Sequence, residues 1–541
     1  MTRLVKATGI VVSALACLVS MAQSGVSAQT SAAAYRIAGT LVNAQTGAPV
    51  PGATVAVLSV EDGHRIAAAE TGNDGSFAIG GLAAAKYQLT ASKRGYSTAA
   101  YNEHGNYSSA VVTGPEQETS GLVFKLTPGA VLRGVVNGDG GDAIEGAQVM
   151  LFEKPRDHDP GAKIVQVSLA MTDDTGTYEF DNLGKGEYLL AVKVEPWYAM
   201  HVSSPQQGKL NRALDVAYPI TFYDSTTDEG AATPIVLAGG NRVEADVSLH
   251  AVPALHLVVA APLKQDGSPA APQLRQTIFG TVIPSDHIDM AGTGQQGIAD
   301  LTGVAPGHYE LTQGDPPRVV LLDATSSQEV ESGAGIPAVA VSGTLETTTG
   351  APLTSDAVVT LEPADNAQGL KPIESEFSRG AFDFTAVPTG KWKVRVERSG
   401  LAAPVIAIGT AARMHAGNLI TVLDHPQTFV VRVSADGERV EGLARKGEKG
   451  LAGALVLLVP MDPAFFPELV RRDQSDSDGS FSLRDAAPGQ YTVVAIEDGW
   501  ELDWTRPEVI RRYLPGGIAV TVTDTRDKLI RLAGPVQVQG K

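Results

Sequence analysis

Gly75 to Tyr87 reads GSFAIGGLAAAKY, and the chain writes this stretch out five times. The other copies are Gly176 to Tyr188 (GTYEFDNLGKGEY), Gly297 to Tyr309 (GIADLTGVAPGHY), Gly380 to Trp392 (GAFDFTAVPTGKW) and Gly479 to Tyr491 (GSFSLRDAAPGQY). In each, the closing aromatic stands 12 residues after the glycine. Alternating apolar side chains (Phe77, Ile79), a short break and a second alternation (Tyr87, Leu89, Ala91) spell strand, loop and strand. Residues two apart share a sheet face, so each strand offers one face to a core and one to water. The leading glycine follows Asn73-Asp74, Asp173-Asp174-Thr175 or Asp476-Ser477-Asp478. This is turn chemistry, because Asx side chains bond their own backbone and glycine accepts positive φ. A lone hairpin of this size is marginal in water, so each copy predicts more strands around it. The copies begin 101, 121, 83 and 99 residues apart, which is room for one β-sandwich each.

At 541 residues the chain is too long for one core, and the repeat predicts an all-β tandem array of about five Ig-like sandwiches. The 58 glycines and 32 prolines agree, and no long segment of helical periodicity stands out. Lys plus Arg is 42 against 60 Asp plus Glu. An array this acidic repels nucleic acid and anionic lipid, which excludes both as ligands. Met1 to Ala28 has the form of a secretory signal peptide. Arg3 and Lys6 precede a short apolar core, Ile10 to Val19, and Val26-Ser27-Ala28 is a small-residue cleavage site. The only cysteine, Cys17, lies inside that segment, so the mature chain has no disulfide and must rely on packing. No later apolar run approaches the ~20 residues of a membrane span. The expectation is an exported protein, periplasmic, cell-surface or secreted, with no transmembrane span in the mature chain.

The opening strands extend the pattern. Tyr35 onward reads I-x-G-T-L-V-x-x-x-T-G-x-P-V-x-G-A-x-V, then T-G-N-D-G-S-F-x-I, then L-x-x-x-x-Y-x-L-x-A-x-x-x-G-Y. This order resembles the carboxypeptidase regulatory-like domain over most of Tyr35 to Tyr96. The resemblance implies a seven-stranded transthyretin-like sandwich, grouped with carbohydrate-binding-like folds and near the B-type repeats of collagen adhesins. It extends well to copies two and five, moderately to four and poorly to three, where Ala299 replaces an aromatic. The expected divisions are a signal peptide at 1–28, sandwiches at 35–127, 129–250, 252–335, 336–425 and 426–533, and a tail at 534–541. Connections as short as Thr127-Pro128-Gly129 predict a stiff rod.

Candidate chemistry is sparse. The family name invites a zinc peptidase, which needs a His and a Glu three apart and a distant His. None of the ten histidines has a Glu three residues later. His250 and His256 are near each other, on a strand and junction where satisfied histidines are commoner than ligands. No G-x-S-x-G elbow is present. DQSDSDG, Asp473 to Gly479, has the look of a calcium loop, but Arg484 stands where the twelfth-position acid belongs. Collagen-adhesin B-type domains form a Lys–Asn isopeptide bond with help from a Glu four residues after the hairpin aromatic. Ala91, Val192, Gln313, Val396 and Ala495 stand there instead. The expectation is a non-catalytic protein with no cofactor and no metal.

Aromatic residues are the remaining lead. Trp197, Trp500 and Trp504 follow the hairpins of copies two and five, with Tyr198 and Tyr513 in the same loops, and Tyr101 and Tyr107 mark the matching loop of copy one. Exposed aromatic faces beside polar groups bind sugar rings. Trp197, Tyr198, Trp500, Trp504 and Tyr513 are therefore candidate ligand-binding residues, with polysaccharide or an envelope protein as the partner. The competing reading is that they staple each loop to its own sandwich, in which case the array is a structural spacer or assembly scaffold.

Overall fold

The computed structural model describes residues 34–541 apart from 156–161, 202–210, 265–266, 269, 286–289, 293–296, 355, 366–368, 399–400, 435–437, 464–465, 468 and 524–528. The signal-like segment Met1 to Ala28 lies outside the described residues. The chain folds into five β-sandwiches built on one plan. In the first, Tyr35–Asn43 lies between Ser76–Leu82 and Leu122–Leu126, and this sheet faces a second made of Arg65–Glu70, Thr54–Ser59 and Lys86–Ser92. The opening and closing strands of every sandwich pair in parallel: Tyr35–Asn43 with Leu122–Leu126, Ala130–Asn137 with Arg242–Glu244, Leu255–Ala260 with Gln328–Glu329, Ile336–Glu346 with Gln427–Val433, and Glu438–Lys446 with Leu529–Arg531. The chain thus enters each sandwich at one end and leaves at the other.

The repeated stretch, expected as a hairpin, is an arch that joins the two sheets: Ser76–Leu82 pairs with Tyr35–Asn43 in one and Lys86–Ser92 with Thr54–Ser59 in the other. In all five copies the closing aromatic is buried and its polar atom donates to the carbonyl four residues earlier: Tyr87 to Ala83 (3.1 Å), Tyr188 to Gly184 (3.0 Å), Tyr309 to Ala305 (2.8 Å), Trp392 to Pro388 (2.8 Å) and Tyr491 to Ala487 (2.8 Å). One side chain fills the core and satisfies a turn carbonyl that burial would otherwise leave unpaired. The leading glycines all have positive φ, between 72° and 86°. At Gly75, Gly176 and Gly479 a Cβ would also come within 2.4–2.6 Å of a carbonyl oxygen, whereas nothing lies that close at Gly297 or Gly380. Copies one, two and five, which keep the family pattern best, therefore need the glycine for two reasons, and copies three and four for one.

Each sandwich has its own core. Two expected boundaries move. Gln427–Val433 was expected to open the fifth sandwich, but it pairs with Ile336–Glu346 and buries Phe429, Val431 and Val433 in the fourth core. The expected tail at 534–541 contains Val536–Gln539, a strand that pairs with Glu438–Lys446 and Gly489–Ile496 and buries Val536 in the fifth core. The first error arises because an alternating strand such as Gln427–Val433 reads alike as the last of one sandwich or the first of the next, and the second because Val536–Gln539 has only 4 residues.

The expected stiff rod is also corrected, because the chain turns back until its fifth sandwich meets its first. The first two sandwiches abut where Ser97 Oγ donates to Leu183 O (3.2 Å) and Gly240 N to Pro128 O (2.8 Å). The second and third share an apolar seam in which Ile278, Phe279 and Ile283 of the third cover Met150, Phe152 and Leu189 of the second. The third and fourth join edge to edge, since Arg318–Ala324 pairs with Ile336–Glu346 and one sheet runs through both. Arg471 of the fifth donates to Ala402 O of the fourth (3.0 Å). Neighbouring sandwiches thus touch directly at every joint, and the path of the chain bends back on itself.

Candidate functional site

The meeting of the first and fifth sandwiches is a polar clasp made by the turn Ser475-Asp476-Ser477. Asp476 accepts from Lys86 Nζ (2.6 Å) and from Ala110 N (2.8 Å). Ser109 Oγ donates to Ser475 O (2.8 Å), Ser477 N to Ala110 O (2.9 Å) and Val112 N to Ser477 Oγ (2.8 Å). Gln474 sits under this turn, 2.9 Å from His104 Nδ1. Aromatic contacts flank the polar ones. Trp500 stacks on His104 (5.2 Å between centroids) and leans on Tyr107 (5.4 Å). The Arg472 guanidinium lies 4.8 Å from the Tyr107 ring and 5.5 Å from that of Trp504. The calcium-like motif is therefore divided between docking and its own turn. Asp476 holds the first sandwich, while Asp473 accepts from Ser482 N (2.6 Å) and Gln474 N (2.8 Å). Burial pushes the Asp473 carboxyl up to about 6 and also raises that of Asp476.

Beside the clasp lies a half-open cleft of about 1000 Å³ walled by the first, second, fourth and fifth sandwiches. Its lining mixes charges of both signs, among them Glu103, Lys154, Lys163, Lys393 and Arg395, with Trp504 at its edge. Most of these charges are locally balanced: Lys154 with Glu187 (2.8 Å), Lys163 with Glu374, and Arg395 with Glu362 (3.3 Å). Arg471 anchors one wall by donating to the carbonyls of Asp485, Val470 and Ala402. Its burial pulls its pKa below the ordinary arginine value.

The candidate aromatics do not converge on one groove. Trp504 is 3% exposed and Tyr513 is buried, both packed with Ile510 on the outer face of the fifth sandwich's sheet. Trp500 is half-buried, and its indole N–H donates to Gly453 O (3.0 Å). Trp197 is 93% exposed, touching the half-buried Tyr198 edge-on at 5.7 Å. Of the five, only Trp197 offers an open ring face. The physical reason lies in the strands beneath. Leu455–Pro460 is buried at every position, so its outer face needs a cover, which the loop carrying Trp504 and Tyr513 supplies.

A second cluster, absent from sequence reasoning, lies between the second and third sandwiches. His201 Nδ1 is 2.9 Å from Asp215 and its Nε2 is 3.1 Å from Glu195. His256 Nε2 is 3.0 Å from the other oxygen of Asp215 and its Nδ1 is 3.3 Å from Asp300. The pair His250 and His256 separates: His250 is exposed and bonded to Asp139 (2.6 Å). Among the described residues no group of three or more His, Cys, Asp or Glu converges as a metal site requires, and no helix is long and apolar enough to cross a membrane.

Residues 36–127 match the model of the carboxypeptidase regulatory-like domain. The first sandwich is a carboxypeptidase regulatory-like domain. The match ends where the Thr127-Pro128 connection begins, so this domain carries the Lys86 and Ser109 side of the clasp. Among solved structures, the chain is similar to the Bacillus anthracis TIE protein at 12% identity over 74% of each chain, TM-score 0.18. It is similar to a streptococcal ancillary pilin at 13% identity over 55% of this chain and 98% of that one, TM-score 0.20. A minor pilin of Streptococcus agalactiae gives 15% identity over 40% and 97%, TM-score 0.21. No curated protein matches the chain.

Proposed function

We propose that this is an exported, non-catalytic protein of the bacterial cell envelope or extracellular space, whose sandwiches bind a polar ligand, with polysaccharide as the leading candidate. The observation that carries the reading is the cavity of about 1000 Å³ between four sandwiches. It has the size of a ligand site and a lining of balanced charges, backbone and one aromatic edge. A sugar polymer presents hydroxyls that such a wall can pair without a strong field of either sign. The signal-like start supports export, and the regulatory-like domain supports a non-catalytic role. The second reading, a scaffold without a small ligand, is favoured by Trp500, Trp504 and Tyr513, which are committed to packing.

The test is a glycan-array and insoluble-polysaccharide pull-down on residues 29–541, with Lys393→Ala for the cavity and Trp197→Ala for the open aromatic. Both side chains are exposed, so both variants should melt with the parent. Binding lost with Lys393→Ala supports the cavity. Binding lost only with Trp197→Ala moves the site to the surface of the second sandwich. No binding to any glycan sinks the ligand reading in favour of the scaffold.

A further inference from the structure

The histidine cluster between the second and third sandwiches has a proton count that its geometry fixes. Glu195, His201 and Asp215 come from loops of the second sandwich, and His256 and Asp300 from strands Leu255–Ala260 and Ile298–Val304 of the third. Four ring nitrogens face four carboxylate oxygens at 2.9–3.3 Å. A carboxylate only accepts, and a neutral imidazole donates from one nitrogen and accepts at the other. Two neutral rings would supply two hydrogens for four contacts, leaving two lone-pair clashes in a site where the side chains of His201 and Asp215 are 6% and 8% exposed. The closed arrangement therefore holds two further protons, whether each rests on nitrogen or oxygen.

The cluster sits on an established joint. Asp215 O accepts from Ala254 N (2.9 Å), Val216–Ala217 pairs with Val252–Pro253, and Ala217, Ala254 and Ala305 pack together beside it. Gly303 of the third sandwich lies against the His201 ring so closely that a Cβ there would come within 2.8 Å of it. We propose that the joint between the second and third sandwiches is a proton-operated lock, in which Asp215 grips His201 and His256 as imidazolium cations and the third sandwich is released when their protons are removed.

The other charged and titratable groups at the joint are compatible with this. Glu195 and Asp300 cap the outer ends of the chain of contacts. Lys193, bonded to Pro284 O (2.7 Å), and Tyr218 and Tyr309 line the small adjoining cavity. Burial alone would favour neutral rings, but the carboxylates outweigh it. Asp300 and then Asp215 push His256 up to about 9, and Glu195 and then Asp215 raise His201. A raised histidine contributes most below its unfolded value of about 6.5 and loses the contribution as pH climbs through its folded value. The lock is therefore firm at and below neutral pH and loosens as pH passes about 9.

The test follows selectively labelled histidine ring signals in the full chain from pH 5 to 10.5, with a dipolar distance between spin labels on the second and third sandwiches over the same range. The expected result is a His256 midpoint near 9 instead of about 6.5, and a single distance that broadens through the same midpoint. In His256→Gln the distance should already be broad at pH 7, while His250→Gln, which alters only the exposed pair, should match the parent. If His256→Gln does not fold, the parent's own titration decides. Midpoints at the free-histidine value, or a distance unchanged to pH 10.5, would overturn the proposal.

Discussion

The loops that follow the repeated stretch in the second and fifth sandwiches carry the same aromatic signature and come to opposite ends: Trp197 is 93% exposed and Trp504 is 3% exposed. The difference is set by what else covers the sheet beneath. In the fifth sandwich Leu455, Leu457 and Val459 face outward, and the loop's own Trp504, Ile510 and Tyr513 cover them. In the second, Met150, Phe152 and Leu189 face outward, but Ile278, Phe279 and Ile283 of the third sandwich cover them. That leaves Trp197 no apolar surface to close. An aromatic loop in a tandem array is thus a staple or a free face according to whether a neighbouring domain has already supplied the cover.

Replacing Trp504 should sharpen this comparison most. Trp504→Ala removes a large buried side chain and should cost about 3–5 kcal/mol, read as an early chemical-denaturation midpoint of the fifth sandwich. A change below about 0.5 kcal/mol would break the staple reading. The next effect is pH-dependent. Asp473 titrates at about 6 when folded against about 3.9 unfolded, so the folded state takes up its proton first as pH falls. Stability should rise in the parent, relative to Asp473→Asn, by roughly 2–3 kcal/mol as pH falls from about 7 to 4, and the difference should be flat above about 7. Parallel curves through that window would show that the carboxyl is not held up by burial.

Asp476→Ala strips the clasp of its Lys86 and Ala110 contacts and should weaken it by roughly 2 kcal/mol. The readout is an increased protease sensitivity of the Tyr107 loop while both sandwiches keep their strand signal. An unchanged digestion pattern would show that the turn does not hold the first sandwich. Smallest of all, Trp197→Ala should change stability by less than about 0.5 kcal/mol in the same denaturation assay. A loss comparable to that of Trp504→Ala would erase the contrast between the two loops.

Much of the fold was legible because period and punctuation are local. The strands of the five repeated stretches, their glycines and their closing aromatics all stand where the spacing put them, although the two strands of each copy join opposite sheets and do not pair as a hairpin. Closing strands were harder, since Gln427–Val433 and Val536–Gln539 are placed by partners far away in the chain. The fate of the aromatics was partly readable. LVLLV at Leu455 to Val459 and VMLF at Val149 to Phe152 are continuous apolar runs, which require cover on both faces. What lay beyond reach was the assembly of the sandwiches. Lys86 meets Asp476 across 390 residues of chain, and His256 meets Asp215 only where the second and third sandwiches pack together. In the sequence Asp476 is one more turn residue, indistinguishable in kind from Asp74 or Asp174.

The central claim is that the chain closes on itself through the regulatory-like domain and the fifth sandwich. Its most direct test is a dipolar distance between spin labels at Asn106→Cys and Glu501→Cys, with Cys17→Ser as background. Both positions are exposed and lie beside the stack of His104 and Tyr107 on Trp500. A single short distance, lengthened by Asp476→Ala, is the predicted result. A long or broad distribution in the parent would mean an open array, and with it neither the clasp nor the cleft beside it.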